Sequence, residues 1–340
     1  MGLKKKVTAR QVAELAGVSL STISQTFNNP NRVGEDNRKK VLEAARKLGY
    51  EVPKRQKKIY GLIGLLIERW VETTLVNPFY SFVIKGMLDG ANRNGYTIMI
   101  ETIDKDEIVF PKMIKDGLID GILLVGRVRL EYVQLLAGKN VPFVLVDHYI
   151  PNTNVNYVLS DGRMGAFNGT QYLIDNGHRS IGLIGGPGDL VTINEREEGF
   201  RSAIDKNGIT FNPKWRIEGN FEFDSGRSEM LKFLKTFKAG ERPTAFFVVN
   251  DLMALGAIQA CKELGVGVPE DISFMGFDNI EVSFNASLYK SALTTVGVRK
   301  EDLGEKAVEL LRELIAHPEK DPSKTILPTE LIIRETVRAI

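Results

Sequence analysis

The spacing of apolar residues changes near residue 60, and it predicts two structural regimes in one chain. Before that point, apolar positions recur every three or four residues within short segments, which is the period of amphipathic helices. After it, compact runs rich in Ile, Val, Leu and Phe alternate with longer amphipathic segments. Compact runs of this kind are typical of parallel strands covered on both faces, so the second regime predicts an α/β fold.

The first helix is predicted to begin after Thr8, which stands three residues before Gln11 in the spacing of a capping box. Gly17 is expected to end this helix, because glycine adopts left-handed backbone angles at no steric cost. Ser19 can then cap a second helix through its hydroxyl, so two short helices should meet at a tight turn. The residues expected on the buried side of the first helix are Val12, Ala13, Leu15 and Ala16.

The second helix is predicted over residues 20–28, with Ile23 and Phe27 on its buried side. An uncharged and mostly polar side suits a helix that enters the major groove and hydrogen-bonds base edges. A third helix, over residues 35–48, completes a small all-α head. The residues expected on the exposed side of the second helix are Leu20, Ser21, Ser24, Gln25 and Asn28.

Charge is distributed unevenly between the two regimes. Residues 1–60 contain 14 Lys and Arg against 5 Asp and Glu, whereas residues 61–340 contain 31 against 38. A basic head on an acidic body indicates a polyanionic partner for the head. The alternative for the charge is a solvated surface that is basic by chance. The alternative for the second helix is an ordinary helical hairpin with a solvated Ser and Thr face. It is disfavoured because Ser and Thr are mediocre helix formers.

Several classes of protein are disfavoured by what the sequence lacks. It has one cysteine, Cys261, and no leader pattern or run of 18 apolar residues, so the cytosol is the expected compartment. Three scattered histidines show neither metal-ligand spacing nor a nucleophile with its base, which argues against a metal site and against an enzyme. The stretch GLIGGPGDL fits neither the dinucleotide-binding nor the P-loop pattern, so no cofactor is predicted.

The body is predicted to be doubly wound. Amphipathic segments separate its apolar runs, as in α/β sheets. A body of about 280 residues exceeds what one sheet usually organises, so two similar lobes with a cleft between them are expected. The apolar runs are GLIGLLI, YTIMIET, IDGILLVG, PFVLVD, SIGLIGG, TAFFVVN and DISFMGF.

The head resembles that of LacI/GalR family transcription regulators in two stretches, VTARQVAELAGVSLSTISQTFNN and RVGEDNRKKVLEAARKLGY. The resemblance continues to the end of the chain through NPFY, DGILLVG, NGHRSIGLIGGP, REEGF, VVNDLMALGA, VPEDISFMGFDN and LTTV. It implies a helix-turn-helix head over residues 1–50, a basic linker over residues 51–60, and a two-lobed effector-binding and dimerisation body over residues 61–340. The body would have the fold of periplasmic sugar-binding proteins.

The function that the resemblance implies is sequence-specific regulation of transcription, with the protein acting as a repressor. A homodimer would bind near-palindromic double-stranded operator DNA, and a small-molecule effector in the cleft would control that binding. In the family, the helix beginning near Ser19 reads bases. This implies base contacts for Leu20, Ser21 and Gln25, and contacts nearer the DNA backbone for Thr8, Ser19, Ser24, Asn28 and Arg32.

Two features of the head depart from the family pattern. Most relatives carry arginine at the position of Gln25, and glutamine pairs best with adenine where arginine prefers guanine. The linker stretch EVPKRQKKIYGLIG is shorter than usual and lacks the Ala-x-x-Leu pattern, so a full hinge helix is not expected. Lys54 and Arg55 are expected to contact phosphates instead.

Strand ends face the crevice in sheets of this kind. The polar residues at the ends of predicted strands are Asp147 after PFVLV, Asn250 and Asp251 after TAFFVV, and Asp278 after ISFMGF. Arg196 is expected in a loop that opens a helix. The resemblance implies that the polar groups of the effector are bound by Asp147, Thr192, Arg196, Asn250 and Asp278. Phe79, Tyr80 and Phe221 are expected around the cleft as an aromatic face for the ligand, and the resemblance implies that Tyr80 and Phe221 stack on its apolar side.

Other polar residues of the body have local interpretations. Asp251 is interpreted as a helix cap, because Asp just past a strand is commonly a cap. His178 is expected to be structural and His317 to lie at a helix end, whereas His148 is open between the cleft and a solvated loop.

The expected effector is a sugar, because amides and carboxylates grip vicinal hydroxyls. A purine or nucleoside is the alternative, since Phe79 and Tyr80 would also stack on a base. A further alternative is a sugar-binding transport-type protein with the same body. Such a protein should carry a signal peptide and lack the basic head.

Overall fold

A computed structural model describes residues 7–28, 32–50, 60–68, 77–103, 111–188, 190–280 and 292–340. The chain divides into two compact units, residues 1–58 and 59–340. The helices, numbered through the described residues, are α1 (Ala9–Ala16), α2 (Leu20–Asn28), α3 (Glu35–Leu48), α4 (Tyr80–Arg93), α5 (Lys112–Lys115), α6 (Leu130–Gly138), α7 (Gly162–Asp175), α8 (Val191–Lys206), α9 (Phe223–Thr236), α10 (Asp251–Glu263) and α11 (Lys300–Ala316). None of these helices is long and apolar enough to cross a membrane.

The helix boundaries of the head follow the local signals in its sequence. Thr8 caps α1 in a capping box with Gln11, and Gly17 ends that helix with φ 65°. The Ser19 hydroxyl accepts a hydrogen bond from the backbone N–H of Thr22 at 3.1 Å, which caps the start of α2. Gly49 ends α3 with φ 64°. The caps predicted at Thr8, Gly17 and Ser19 are therefore confirmed.

The core of the head is small, and one residue that we expected in it is exposed. Val12 and Ile23 are buried, as predicted, whereas 47% of Leu15 is accessible to solvent. Successive residues of a helix are about 100° apart around its axis, so one side of α1 carries Ala9, Val12, Ala13 and Ala16. This is the side that packs on the core. Leu15 does not lie on that side, so the prediction of a buried Leu15 was wrong. The core residues are Val12, Ala13, Ile23, Val41, Ala44 and Ala45.

The described part of the body contains two six-stranded sheets, one in each lobe. Sheet order is β11-β5-β4-β3-β1-β2 in lobe 1 and β12-β10-β9-β8-β6-β7 in lobe 2. Strand pairs are parallel except β10 with β12, which confirms the doubly wound fold class. The strands are β1 (Leu62–Glu68), β2 (Thr97–Ile103), β3 (Gly121–Val125), β4 (Phe143–Val146), β5 (Tyr157–Ser160), β6 (Ile181–Gly185), β7 (Arg216–Glu218), β8 (Ala245–Val248), β9 (Ser273–Asp278), β10 (Thr294–Gly297), β11 (Lys324–Leu327) and β12 (Glu330–Ile332).

Within the described residues, the chain passes between the lobes at three places. The first passage follows β5 into α7, which packs on α8 in lobe 2. The second follows β10 into α11, which packs on α4 and on strands of lobe 1. The third joins β11 to β12. Each lobe is therefore built from separate chain segments.

Glycines allow the closest helix pair of lobe 1. A Cβ on Gly86 of α4 would lie 2.1 Å from the carbonyl oxygen of Glu301, and a Cβ on Gly304 of α11 would lie 2.1 Å from that of Val83. The two backbones therefore touch where these glycines face each other. A Cβ on Gly90, one turn after Gly86, would lie 3.4 Å from its nearest neighbouring atom, the Cα of Glu305, and therefore has room.

Candidate functional site

The exposed side of α2 carries the head residues to which the sequence assigned base contacts. Leu20 is 53% accessible to solvent. The exposed residues of this side are Leu20, Ser21, Ser24 and Gln25. These side chains face solvent, and their contact with bases stays a prediction.

The remaining predicted DNA contacts have mixed outcomes. Thr8 and Ser19 are exposed, but both hydroxyls accept the backbone bonds that cap their helices. Arg32 is exposed. Asn28 is the last residue of α2, and its side chain lies outside the described structure, as do Lys54, Arg55 and the linker around them. The expectation about the hinge helix therefore also falls outside the described residues.

A cavity of about 700 Å³, part of it open to solvent, lies between the two lobes of the body. It is lined by side chains from the strand ends of both sheets. The eight residues that the sequence proposed for an effector all line it: Phe79, Tyr80, Asp147, Thr192, Arg196, Phe221, Asn250 and Asp278. The structure brings them together, while their role in binding stays a prediction.

Arg196 and Asp278 form a buried ion pair on the lobe 2 side of the cavity. Arg196 lies within α8 rather than in the loop before it, so that detail of the prediction was wrong. Its Nη1 lies 2.9 Å from Oδ1 of Asp278 and donates a hydrogen bond of 2.6 Å to the carbonyl of Val249. The guanidinium stacks over the ring of Phe277 at 3.9 Å. Placement in the second turn of a helix fixes the charge rigidly against the cavity wall.

Tyr80 and Asp147 form the corresponding pair on the lobe 1 side. The Tyr80 hydroxyl donates a hydrogen bond of 3.0 Å to Oδ2 of Asp147. Burial raises the pKa of Asp147 to about 6, although the Arg196 charge and the Tyr80 hydrogen bond oppose the rise. Burial also raises the pKa of the Tyr80 hydroxyl, and the Asp147 charge adds to that effect. The pair therefore places inside the cavity a carboxyl group that becomes ionised as the pH rises through about 6.

Three buried polar atoms of these pairs lack hydrogen-bond partners among the described residues: Oδ1 of Asp147, Nε of Arg196 and Oδ1 of Asp278. Oδ1 of Asp278 lies in the ion pair with Arg196, which leaves Oδ1 of Asp147 and Nε of Arg196 with neither kind of contact in that part of the chain. Buried polar groups are nearly always hydrogen-bonded, so an acceptor and a donor left in one cavity favour a ligand that has both kinds of group.

Asn250 and Phe221 are bound to each other at the edge of the cavity. The Asn250 side chain donates to the Phe221 carbonyl at 2.8 Å and accepts from the Met253 N–H at 3.0 Å. Asn250 is therefore the cap of α10. Phe221 has φ 74°, and a Cβ on Gly186 would come within 2.2 Å of its ring. The ring fits only because residue 186 is glycine.

Asp251 has a different role from the one that the sequence suggested. It is the first residue of α10, buried, and it does not cap the helix, because the cap is Asn250. Its carboxylate accepts hydrogen bonds from the Thr295 hydroxyl at 2.6 Å and from the Ile280 N–H at 3.0 Å. Burial, followed by the nearby Asp278 charge, raises its pKa to about 7. Asp251 therefore holds the segment that follows β9.

Three cavity residues have backbone conformations that side chains rarely adopt. Asp147, Phe221 and Asp278 have φ of 57°, 74° and 109°. Such conformations cost free energy and cluster at functional sites, where surrounding contacts maintain them. Glycine is the residue that usually signals a positive φ in a sequence. None of these three residues is glycine, so no sequence pattern predicted their conformations.

His178 and His317 have the positions that the sequence predicted, and His148, for which two positions were open, lines the cavity. His178 is buried between the Thr244 hydroxyl and the Arg338 carbonyl, so its structural role is confirmed. His317 ends α11, also as predicted. His148 is buried and lines the cavity, with Nε2 3.2 Å from the Val128 carbonyl oxygen. Burial lowers its pKa from 6.5, which favours the neutral ring.

Some lining residues were not anticipated from the sequence. Asn77 accepts hydrogen bonds from the N–H groups of Phe79 and Tyr80 at 2.9 and 3.4 Å, and so orders the start of α4. An Asn two residues before an aromatic pair is a turn signal that could have indicated this. The other unanticipated residues are Arg127, Leu190, Ile193, Leu252 and Ile280. Within the described residues, no cluster of His, Cys, Asp and Glu could hold a metal ion.

Comparison with known proteins assigns both parts of the chain. Residues 8–52 match the bacterial regulatory proteins of the lacI family, and residues 170–337 match a periplasmic binding protein-like domain. The HTH-type transcriptional repressor PurR of Vibrio vulnificus (strain CMCP6) is 33% identical over 342 residues, which cover 98% of this chain and 99% of that protein. The chain belongs to the LacI family.

Solved structures of the LacI family agree with this assignment over nearly the whole chain. The complex of the transcriptional regulator CelR with cellobiose has a TM-score of 0.70 and 29% identity, covering 97% of this chain and 100% of that one. The lac repressor dimer bound to operator and the anti-inducer ONPF has a TM-score of 0.70 and 27% identity, covering 98% and 100%. This LacI-family chain is therefore a DNA-binding regulator with a periplasmic-binding-protein-like effector body.

Proposed function

We propose that this regulator is a repressor that binds operator DNA as a homodimer in the bacterial cytosol, and that a sugar in the interlobe cavity controls the binding. The observation that carries the effector proposal is that Oδ1 of Asp147 and Nε of Arg196 both lack a hydrogen-bond partner within the described part of the chain. Both atoms are buried without partners among the described residues, and both residues line one cavity. A hydroxyl group donates one hydrogen bond and accepts others, so neighbouring hydroxyls satisfy both atoms.

The geometry of the aromatic wall removes one argument for a flat base, which is that Phe79 and Tyr80 stack on it together. The rings of Phe79 and Tyr80 are 5.1 Å apart and lie at 86° to each other. Only one ring of a perpendicular pair can lie parallel to a planar ligand. The CelR neighbour, a complex with cellobiose, supports a sugar.

A purine is the second candidate effector. The name of the Vibrio relative, PurR, favours it. Phe221 lines the cavity from lobe 2 and Tyr80 lines it from lobe 1, and two rings on opposite walls suit a stacked base. The Asp147 carboxylate would then accept a hydrogen bond from a ring N–H.

Titration calorimetry of the full chain with cellobiose, ribose, adenine and guanine distinguishes the two candidates. We expect heat of binding from at least one sugar and from neither purine. The variant Asp147→Asn should lose most of that affinity, whereas Asp116→Asn, an exposed aspartate at the end of α5, should keep it. Binding of a purine alone would overturn the sugar proposal and leave the regulator assignment intact.

The head is proposed to read bases through α2, with the body holding two heads on one operator. The exposed side of α2 and the basic charge of residues 1–60 support this. Half-sites should lie about 10 base pairs or a multiple apart. Selection from random duplexes tests it: we expect an enriched near-palindrome whose affinity falls steeply with salt. Equal affinity for the selected and the scrambled duplex would contradict it.

A further inference from the structure

A single lysine lies at the second passage between the lobes, where the chain leaves β10 and enters α11. Lys300 is the first residue of α11, and only 5% of it is accessible to solvent. Lysine is rarely buried without a partner, because its ammonium is strongly hydrated in water. The contacts of its Nζ atom therefore indicate what it does.

The Lys300 ammonium donates to backbone carbonyls at the end of β9. Its Nζ lies 3.0 Å from the carbonyl oxygen of Asp278 and 2.8 Å from that of Asn279. A third contact, to the carbonyl of Val298, measures 3.4 Å. An ammonium has three donors, so these carbonyls account for all of them. Asp278 is the residue whose carboxylate pairs with Arg196 at the cavity.

The rest of Lys300 belongs to lobe 1. Helix α11 packs against α4 in that lobe, with Gly304 and Gly86 in backbone contact. The Lys300 Nζ also lies 5.9 Å from the centre of the Phe82 ring, on α4. Because α4 begins at Tyr80, which lines the cavity, the lysine links the two walls of the cavity outside the ligand space.

The segment that Lys300 holds is strained and is fixed from other directions as well. Asp278 and Asn279 have φ of 109° and 52°. Asp251 accepts the Ile280 N–H, and the Arg334 guanidinium donates to the Asn279 side chain at 2.8 Å. Asp251 belongs to lobe 2, whereas Lys300 begins a helix of lobe 1. A shift of Asp278 on binding a ligand would therefore act on lobe 1 through the lysine.

We propose that Lys300 is a positioning residue that couples the effector cavity to lobe 1, by tying the backbone of Asp278 and Asn279 to the α11 and α4 helix pair. The coupling to DNA rests on the proposed function, because it requires an effector in the cavity. The link that Lys300 makes between the two lobes, here called the tie, is present without an effector and does not rest on the proposed function. The two parts are therefore tested separately.

The tie is tested in the ligand-free protein by electron–electron double resonance between spin labels at Glu131→Cys in lobe 1 and Lys235→Cys in lobe 2. Both positions are exposed, and the native Cys261 is fully buried. We expect Lys300→Met to broaden the interlobe distance distribution and Lys300→Arg, which keeps the donors, to restore it. The matched control is Lys306→Met, an exposed lysine on the same helix. Identical distributions for Lys300→Met and Lys306→Met would overturn the proposal.

The coupling is tested as the ratio of operator affinities without and with cellobiose, ribose or guanine. Because allosteric coupling factors are typically about 5 to 150, we expect Lys300→Met to reduce the wild-type ratio about fivefold or more. Operator affinity of the ligand-free variant should stay near that of Lys306→Met. An unchanged ratio in a folded Lys300→Met variant would overturn the coupling. If none of the three probes changes the wild-type ratio, the proposed effector fails, and the spin-label distances still decide the role of Lys300.

Discussion

The carboxylate of Asp278 and the guanidinium of Arg196 lie 2.9 Å apart, with less than a tenth of either side chain accessible to solvent. The pair joins the second turn of α8 to the end of β9, and the Phe277 ring covers the guanidinium. It forms the charged wall of the interlobe cavity. Its contribution to stability and its contribution to ligand binding are separable by measurement.

Removing Arg196 should destabilise the body strongly. Arg196→Leu leaves the Asp278 carboxylate buried without its guanidinium, and breaking such a pair costs about 3–5 kcal/mol. Arg163→Leu removes an arginine that pairs with Glu198 while more than half of each side chain is exposed, and such a pair contributes about 0–1 kcal/mol. Urea unfolding monitored by circular dichroism gives both values. Equal losses in the two variants would contradict the buried pair as a source of stability.

Effector affinity should rise with pH through about 6. The folded-state pKa of Asp147 is about 6, above the ordinary 3.8, because of burial. A ligand hydroxyl that donates to the ionised carboxylate favours its deprotonated form, so affinity should fall below pH 6 and level off above 7. Calorimetry with the sugar that binds, between pH 5 and 8, measures the slope. Asp147→Asn should flatten it.

Two further measurements distinguish the effect of Asp147 on ligand affinity from that of His148 and from the effect of Asp147 on stability. His148→Gln should keep the slope, and its loss in that variant would assign the pH dependence to the histidine. Because the folded-state pKa of Asp147 lies above its unfolded value, the folded, ligand-free protein binds more protons than the unfolded chain between pH 3.8 and about 6. The stability that this group contributes therefore falls as pH rises through that window, opposite to ligand affinity.

Two glycines of α4, one turn apart, should respond oppositely to alanine. In Gly86→Ala the new Cβ would lie 2.1 Å from the Glu301 carbonyl oxygen, so α4 and α11 must separate, at a cost of about 1–3 kcal/mol. In Gly90→Ala the nearest atom is 3.4 Å away, and helix propensity should stabilise the protein by about 0.5–1 kcal/mol. Thermal unfolding compares them directly. Similar midpoints would mean that the helix contact is not tight.

Gln25 should determine the preferred base at one operator position. The side chain is exposed on α2, where the donor and acceptor of its amide suit adenine. Gln25→Arg should move about 1–3 kcal/mol of discrimination from adenine to guanine at that position. Selection from random duplexes measures the preference. Asn37→Arg, which adds the same charge on α3, should raise affinity for all sequences without changing the preferred base.

The sequence by itself determined the elements whose signals are local. The capping box at Thr8, the left-handed Gly17 and the apolar runs of seven strands depend on residues within a few positions of one another, so their interpretation needed no fold. The strand-end rule also identified Asp147, Asn250 and Asp278 as cavity residues, because parallel strands place their carboxyl ends at one edge. Strands such as β5, β7, β11 and β12 were missed, since each has only three or four residues and polar ones interrupt it, whereas β4 and β8 are as short but entirely apolar.

Only the tertiary structure decided which polar groups meet. Arg196 pairs with Asp278, Asp251 holds Ile280 instead of capping a helix, and Lys300 reaches from lobe 1 to a strand end of lobe 2. These contacts join residues that are distant in sequence and brought together by the passages between the lobes. Burial then sets the pKa of Asp147 and of Asp251. Pairing and desolvation depend on the position of every neighbour in space, which no local pattern of residues contains.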